Sequence, residues 1–308
     1  MKIETLLTEG EISDEFAEAL EARDIPEKFF YWHPLAVRAW LALAQGVAYE
    51  SRLDSWNLLV EDVDALSGHL DTEAAVISLG AGDGAQDVAL LKALKNVKLD
   101  VEYFPVDASQ ALLEMACAAA EEEEVDTLGL KADISSPMHL VLAADASEHP
   151  KLFLMCGNTL GGFDPLDQAP HLNQLLHDGD RLIVDAEIDG VAALASRDNP
   201  VGRQFALGPL AGLGITKDDG ELRFEQRRDD RHEGLGMVTR HFQTAHDLRL
   251  NAVGREITLQ RGERVSLSFN YTYSIKAFRW ILTERGGLKI LHEYPSHDGR
   301  YITAVCSK

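Results

Sequence analysis

The sequence predicts an α/β fold built on a doubly wound, mostly parallel sheet. Between residues 74 and 186, short apolar segments alternate with segments whose apolar residues repeat at helical spacing. This alternation is typical of strand–helix–strand units, whose right-handed crossovers make the strands parallel. Near the carboxyl terminus, Asp298 and Gly299 separate two strand-like segments, which indicates an antiparallel hairpin at the end of the sheet.

Each predicted strand is a short apolar run that ends near a polar or glycine-rich turn. With the two strands of the hairpin, the sheet has seven strands, and the other five are expected at 74–79, 101–106, 127–132, 151–156 and 180–188. Helices are expected at 11–23, 34–45, over SWNLLVEDVDALSGHL, over DVALLKAL, at 109–124 with Ser109 as cap, after Pro137, over DPLDQAPHLNQLLH and over IKAFRWILTERGG. Between 189 and 264 the alternation stops, and polar helical stretches and meandering strands predict a second, smaller α+β lobe.

The charge of the chain is strongly acidic and unevenly distributed. Its 308 residues carry a net charge of −22, which weighs against nucleic acid and anionic membrane as partners. Residues 1–186 contain 11 basic and 35 acidic side chains, whereas 187–308 contain 18 and 16, respectively. This difference indicates a compositional boundary near residue 187.

Other patterns point to a chain of the reducing cytoplasm. The three cysteines are far apart and form no CxxC motif, so we expect free thiols rather than a disulfide framework. We expect no signal peptide and no transmembrane helix, because the amino terminus lacks an apolar core and no run of 18 apolar residues occurs. The histidines form no HExxH motif or Cys/His cluster, so no metal site is predicted. The oligomeric state is left open.

The segment VISLGAGDGAQDVALL carries the strongest local signal. Gly80, Gly82 and Gly84 lie between a strand and a helix. Glycine lets the backbone turn tightly there and approach a ligand closely. The N–H groups at the start of the helix then point at the ligand. A nucleotide-type ligand, a dinucleotide and an ordinary glycine-rich turn all remain open from this motif alone.

Two aspartates end the next strands of the predicted sheet. Asp107 in YFPVDAS is placed to accept both hydroxyls of a ribose, and Asp133 in LKADIS lies where an adenine is expected; helix capping is the alternative for each. A further glycine-rich loop, MCGNTLGGFDP, follows the fourth strand. The predicted cofactor-binding residues are therefore Gly80, Ala81, Gly82, Asp83, Gly84, Asp107, Ala108, Ala132, Asp133, Gly157 and Asn158.

The order of elements, with a terminal antiparallel hairpin, resembles class I S-adenosylmethionine-dependent methyltransferases over 74–186 and 271–308. The resemblance implies a Rossmann-like methyltransferase sheet and S-adenosyl-L-methionine as cofactor. These enzymes often have an acidic residue two positions before the first glycine, where this chain has Ser78. The methionine amino group would then need another acceptor, such as a backbone carbonyl or Asp83.

A narrower resemblance spans almost the whole chain. KFFYWHPLAVRAW, AYESR, YFPVDAS, KAD, GNTLGGFDP, RLIVDAEID and SFNYTYSIKAF occur in the order found in the histidine-specific N-methyltransferase family of the ergothioneine pathway. The resemblance implies two lobes with the amino-acid substrate between them. We expect the cofactor domain to comprise 56–187 and 271–308, and the substrate lobe 1–55 and 188–270.

The family's substrate residues are only partly present. Tyr31 and Tyr49 match tyrosines of its substrate pocket. Its Glu-x-Ser pair, which recognises imidazole, reads Ser266–Leu267–Ser268 here, and its asparagine in the glycine-rich loop aligns with Gly162. The family has a further tyrosine in its insert, the segment that corresponds to residues 188–270 here, and this tyrosine aligns near Ser196. The resemblance thus implies Tyr31, Tyr49, Gly162, Ser266 and Ser268 as substrate residues, and the departures speak against histidine itself as the acceptor.

Methyl transfer from a sulfonium requires a lone pair on the acceptor and close positioning rather than a metal. We therefore expect a phenol or a polar group near the acceptor, with Tyr31, Tyr49 and Asn158 as candidate catalytic residues; a packing or turn role is the alternative for each. The predicted function is methylation of a small polar metabolite, such as an amino acid or an amine. A nucleotide-dependent oxidoreductase and a non-enzymatic small-molecule-binding protein remain as alternatives.

Overall fold

The protein, in a computed structural model, is described at residues 1–46, 50–188, 194–195 and 197–308. Its strands, in chain order, are β1 (Lys2–Thr5), β2 (Asp24–Ile25), β3 (Glu73–Leu79), β4 (Asp100–Asp107), β5 (Asp126–Lys131), β6 (Lys151–Met155), β7 (Arg181–Glu187), β8 (Gly220–Arg228), β9 (Leu235–Thr244), β10 (Leu248–Ala252), β11 (Arg255–Leu259), β12 (Arg264–Tyr273), β13 (Lys289–Pro295) and β14 (Tyr301–Ser307).

The helices, in the same order, are α1 (Glu9–Ala22), α2 (Phe29–Trp32), α3 (Pro34–Ala44), α4 (Glu50–Glu61), α5 (Val63–Ser67), α6 (Ala85–Asn96), α7 (Gln110–Glu122), α8 (Pro137–Ala144), α9 (Pro165–Leu175), α10 (Pro200–Ala211) and α11 (Ile275–Trp280). A 3₁₀ turn covers Thr159–Gly162, and α11 continues into a π-helical turn at Ile281–Arg285. Ser109 caps α7 as predicted, because its side chain accepts a hydrogen bond from the Leu112 N–H.

The central sheet has the strand order β1-β5-β4-β3-β6-β7-β14-β13. The strands from β1 to β7 in this order are parallel, and β14 and β13 form the antiparallel end. The predicted α/β class is therefore confirmed. Strands β4 and β6 lie on opposite sides of β3, so the order reverses there, and such a reversal opens a crevice at the carboxyl ends of the strands.

The predicted count of seven strands is wrong, because β1 adds an eighth. Lys2 pairs with Leu128 in a parallel register at the edge of the sheet. The segment KIET is short and largely exposed, so it carries none of the apolar alternation by which strands are recognised. This strand belongs to the central sheet, although the predicted division assigned residues 1–55 to the other lobe; the lobe boundaries otherwise stay a prediction.

The two faces of the central sheet bury separate apolar clusters. Ile77 of β3 packs with Phe153 and Phe278 on one face, while its neighbour Val76 packs with Tyr103 on the other. Successive side chains of a strand point to opposite faces, and a parallel sheet covered on both faces therefore needs continuous apolar strands. In β3, the residues after Glu73 are all buried, which explains the run AAVISL.

A smaller sheet with the order β2-β12-β9-β8 packs against α1, α2, α3 and α10. Its core contains Phe16, Phe30, Phe205, Phe242 and Leu267. Among the helices of the described residues, none is long and apolar enough to cross a membrane. Within the same ranges, no group of three or more His, Cys, Asp or Glu side chains is arranged to hold a metal ion.

Candidate cofactor and acceptor cleft

A cleft of about 750 Å³ lies at the carboxyl ends of β3, β4 and β6 and extends to the smaller sheet. Its volume is in the range of small-molecule and cofactor sites. The following predicted residues line it together: Tyr31, Gly80, Ala81, Gly82, Asp83, Asp107, Ala108, Ala132, Asp133, Gly157, Asn158, Gly162 and Ser268. We refer to the part around the glycine loop as the cofactor half and to the part against the smaller sheet as the acceptor half.

The glycine loop Gly80–Gly84 is held in a conformation that favours glycine. Gly80, Gly82 and Gly84 have φ angles of 78°, 59° and 73°. A Cβ on Gly82 would lie 2.8 Å from the Trp40 ring, and a Cβ on Gly84 would lie 2.7 Å from the Ala116 Cα. Gly84 thus faces α7 rather than the cleft. All three glycines shape the loop, but Gly84 does so through packing.

Asp107 fixes this loop to the end of β4. Its carboxylate accepts hydrogen bonds from the Gly82 N–H (3.0 Å) and the Ser109 N–H (2.8 Å). Burial raises the pKa of Asp107 to about 6, against the lowering effect of these bonds. The Ala108 N–H also bonds to this carboxylate. A carboxylate has about four acceptor positions, so about one remains for the ribose hydroxyls that the sequence predicts.

Asp133 is held by the loop that follows β5 and by the amino-terminal arm, the segment of the chain that precedes α4. It accepts bonds from the Ser135 N–H and hydroxyl at 2.8 and 2.6 Å, and Lys28 Nζ lies 2.5 Å from its other oxygen. Burial would raise the pKa of Asp133, but the bonds from Lys28 and Ser135 outweigh it and keep the pKa below its usual value. The predicted adenine site is therefore bordered by an ion pair that links the arm to β5.

The loop after β6 is positioned by Asp185, a residue that the sequence analysis missed. The Asp185 carboxylate accepts the Gly157 N–H at 2.8 Å and the Asn158 N–H at 2.6 Å. Asn158 has a φ of 58°, and its side-chain oxygen accepts the Glu187 N–H at 3.1 Å. Asn158 is therefore buried and fixed by the neighbouring strand β7.

Two further charged residues of the cofactor half were also missed. Asp87, in the first turn of α6, is buried and accepts a 2.6 Å bond from the Tyr103 hydroxyl and another from Ser78. Arg52, in α4, is largely buried and lines the same part of the cleft. In the sequence, the only signal for Asp87 is that it is an acidic residue within an amphipathic helix.

The acceptor half contains an ion pair of a buried arginine and a half-buried glutamate beside Tyr31. Arg240 Nη2 lies 2.5 Å from Glu27 Oε2, and the Tyr31 hydroxyl donates to Glu27 Oε1 at 3.0 Å. Arg240, only 4% exposed, donates its Nε–H to the Leu267 carbonyl and lies 4.3 Å from the centre of the Phe30 ring. Tyr31 is thus one hydrogen bond away from a carboxylate that a guanidinium holds in place.

A second arginine–carboxylate pair lies near the loop after β6. Arg197 Nη2 lies 2.5 Å from Glu187 Oε2, and Arg197 Nε donates to Asn270 Oδ1 at 3.4 Å. Gly162 borders the first pair, since a Cβ on it would lie 3.5 Å from Glu27 Cγ. The first pair thus joins Glu27 of the amino-terminal arm to Arg240 of β9, and the second joins Glu187 of β7 to Arg197.

The two predicted serines of β12 are separated by a β-bulge. The register between β12 and β9 shifts between Ser266 and Phe269, and Ser268 adopts a φ of 60°. Ser268 is buried and lines the cleft, whereas Ser266 is exposed on the other side and is not among the residues that line it. The bulge breaks the regular alternation that would place both serines on one face of the strand, so of the two only Ser268 reaches the cleft. Tyr49 and Ser196 lie outside the described residues.

The comparisons with known proteins identify the class and then the family. Residues 12–198 match the model of the family described as histidine-specific methyltransferase, SAM-dependent. The chain is therefore an S-adenosylmethionine-dependent methyltransferase. It belongs to the histidine-specific methyltransferase family, as its motif order predicted, and its cofactor is S-adenosylmethionine. No curated protein matches the chain.

Solved structures of methyltransferases resemble the chain at low identity. An S-adenosylmethionine-dependent methyltransferase from Clostridium acetobutylicum is 14% identical, with 87% of this chain and 94% of that chain covered and a TM-score of 0.44. CcbJ from Streptomyces caelestis is 14% identical, with coverages of 80% and 88% and a TM-score of 0.40. The amino pentose methyltransferase CalS10 from Micromonospora echinaspora is 13% identical, with coverages of 84% and 94% and a TM-score of 0.39.

Proposed function

We propose that the protein methylates a nitrogen of a small polar metabolite, of the amino-acid or amine type, and that histidine is not its preferred acceptor. The observation that carries the proposal is the partly buried Glu27–Arg240 pair that lines the acceptor half, together with a second lining arginine, Arg197, whose carboxylate partner is Glu187. Buried charges are costly unless they are paired. A site that already holds such pairs favours a charged acceptor, since it offers each charge a partner.

A zwitterionic acceptor matches this arrangement best. Its ammonium group can pair with Glu27, and its carboxylate can make a planar two-point contact with Arg240 or Arg197. The rings of Tyr31 and Phe205, whose centres are 5.6 Å apart, cover the apolar part of the same space. An uncharged acceptor would leave both ion pairs without a new partner and would gain only the apolar contacts.

The cofactor supplies an activated methyl group on a sulfonium, and the residues of this chain bind, orient and dehydrate the acceptor. Positioning of two reactants supplies on the order of 7–11 kcal/mol of the barrier in well-oriented systems. An amine must first lose a proton. Glu27 is the carboxylate nearest to the Tyr31 hydroxyl, so the two together form a route by which that proton leaves the acceptor.

The departures from the family pattern argue against histidine. Ser266 and Ser268 replace the Glu-x-Ser pair, so β12 offers an imidazole ring no carboxylate partner at these positions. We therefore expect acceptors with an ammonium and a carboxylate but without imidazole to be methylated faster.

The test is a methyl-transfer assay over a panel of amino acids, simple amines, histidine and neutral analogues. We expect turnover of a charged nitrogen acceptor, and we expect Glu27→Gln to lower kcat/KM about 10- to 100-fold, the loss typical of a charge-assisted hydrogen bond. Glu225→Gln is the control, because it removes an exposed carboxylate–arginine contact of the same sheet.

Loss of one member of a buried pair can also unfold a protein. The double variant Glu27→Gln/Arg240→Gln, which leaves neither charge unpaired, therefore accompanies the single variant, and retained binding of S-adenosylhomocysteine checks the fold of both. Histidine as the fastest acceptor, or cofactor binding with no turnover of any nitrogen compound, would contradict the proposal.

A further inference from the structure

A buried carboxylate faces the cofactor half at a position that no predicted site residue occupies. Asp87 is 4% exposed and lines the cleft from the first turn of α6. The hydroxyl of Tyr103 donates to its Oδ2, and the hydroxyl of Ser78 also donates to it. Burial raises the pKa of Asp87 to about 6 against the opposing effect of the two hydroxyl donors, so at neutral pH Asp87 presents a negative charge that a cation can compensate.

Asp87 lies beside the position where class I methyltransferases often have an acidic residue. Ser78 is the residue two positions before Gly80, where class I methyltransferases often have an acidic residue. Because the Ser78 hydroxyl binds Asp87, the carboxylate reaches the end of β3 from the helix side instead of from the strand. In the sequence, the glycine loop Gly80–Gly84 lies between Ser78 and Asp87.

Arg52 places a positive charge beside this carboxylate. It is largely buried and lines the cleft, and a Cβ on Gly157 would lie 2.9 Å from its Nη1 atom. Gly157 therefore leaves room for the guanidinium next to the loop after β6. The charge of Arg52 favours the ionised forms of both Asp87 and Asp185. Asp185 already accepts two backbone N–H groups, so it positions the loop.

The amino-acid end of S-adenosylmethionine carries an ammonium and a carboxylate on one carbon. We infer that Asp87 binds this ammonium group and that Arg52 binds the adjacent carboxylate. The two side chains thereby hold the cofactor by its amino-acid end, while Asp107 and the glycine loop hold the nucleoside. Asp83 is the competing acceptor, but it is less buried, and its Oδ1 accepts the Ala85 N–H at 3.2 Å.

The test compares two ligands that differ in the amino-acid end. S-adenosylhomocysteine contains it, whereas 5′-methylthioadenosine has the same nucleoside and sulfur without it. Binding of each to the full chain is measured by titration calorimetry for the wild type, Asp87→Asn, Arg52→Met, the competing-acceptor variant Asp83→Asn and the control Asp100→Asn, whose carboxylate is exposed at the far end of β4. We expect Asp87→Asn and Arg52→Met to weaken S-adenosylhomocysteine about 10- to 100-fold and methylthioadenosine less than about twofold.

Binding of methylthioadenosine also reports that each variant is folded. The inference is overturned if the wild type does not bind S-adenosylhomocysteine, if both ligands weaken equally, or if Asp83→Asn produces the selective loss instead. The outcome does not depend on which acceptor is methylated, so a failure of the proposed acceptor class would leave this result unchanged.

Discussion

The two halves of the cleft differ in how they handle buried charge. In the cofactor half, Asp107 and Asp185 accept hydrogen bonds from backbone N–H groups and Asp87 from hydroxyls. In the acceptor half, the lining residues Arg240 and Arg197 are each paired with a glutamate, Glu27 and Glu187 respectively. The first half is negatively charged and fixed by the sheet, which suits a cationic cofactor. The second is neutral as a whole and can exchange partners with an acceptor.

The largest expected effect tests whether the cofactor half is the more rigid of the two. Gly84→Ala places a Cβ 2.7 Å from the Ala116 Cα at a φ of 73°, so it combines backbone strain with overpacking against α7. We expect it to lower the free energy of unfolding by about 2–5 kcal/mol, measured by urea denaturation. Gly162→Ala in the acceptor half meets its nearest atom at 3.5 Å without a positive φ, and we expect less than about 1 kcal/mol.

A third glycine separates strain from overpacking. Gly179 has a φ of 97° but no atom within 4 Å of an added Cβ, so Gly179→Ala reports the conformational cost alone. Equal losses for Gly84→Ala and Gly179→Ala would show that packing against α7 contributes nothing. Equal losses for Gly84→Ala and Gly162→Ala would remove the difference between the halves.

The next effect concerns Asp107, which joins the glycine loop to β4. Asp107→Ala removes the acceptor of the Gly82 N–H and the predicted ribose ligand together. We expect S-adenosylhomocysteine to bind about 100-fold more weakly, which corresponds to about 2.7 kcal/mol. Calorimetric titration measures the change. Asp100→Ala is the control, because Asp100 is exposed at the opposite end of the same strand. Unchanged affinity in Asp107→Ala would place the cofactor elsewhere.

The smallest effect sharpens the contrast in charge. Burial raises the pKa of Asp87 from 3.8 to about 6, so folding binds a proton more tightly at this group. The stability that the raised pKa provides is present below about pH 4 and is lost as the pH rises through about 6. Asp87→Asn lacks this loss. We therefore expect its stability relative to the wild type to increase by about 2 kcal/mol between pH 4.5 and 7.5.

Thermal unfolding of both proteins without cofactor across this range measures that difference. A relative stability that stays constant or falls with pH would show that Asp87 is not costly in the folded state. Combined with a selective loss of S-adenosylhomocysteine binding, the expected result would make Asp87 a residue that binds ligand at the expense of stability.

The cofactor half could be predicted from the sequence because its residues follow a local rule. Gly80, Asp107 and Asn158 directly follow or end short apolar strands, and the carboxyl ends of parallel strands meet at one edge. Asp87 was not predicted because it lies inside a helix, where a single acidic residue is usually solvent-exposed. Its burial depends on Tyr103 of the neighbouring strand.

The acceptor half could not be predicted in the same way. Glu27 and Arg240 are separated by 213 residues, and no periodicity links the arm to the insert. The pair of serines in β12 misled the prediction, because a bulge turns Ser266 out while Ser268 points in. Pairing across long sequence separations and local irregularities of strands are decided by tertiary packing.

The contact between Trp40 and Gly82 joins the amino-terminal arm to the loop on which the cofactor half is built. The ring of Trp40 covers the loop closely, and there is no room beneath it for a side chain at position 82. A ligand that moves the loop therefore also moves α3, and the coupling between packing of the arm and binding at the loop is then the same in both directions. With Trp32, Trp56 and Trp280 replaced by phenylalanine, the fluorescence of Trp40 becomes an internal reporter of the state of the loop.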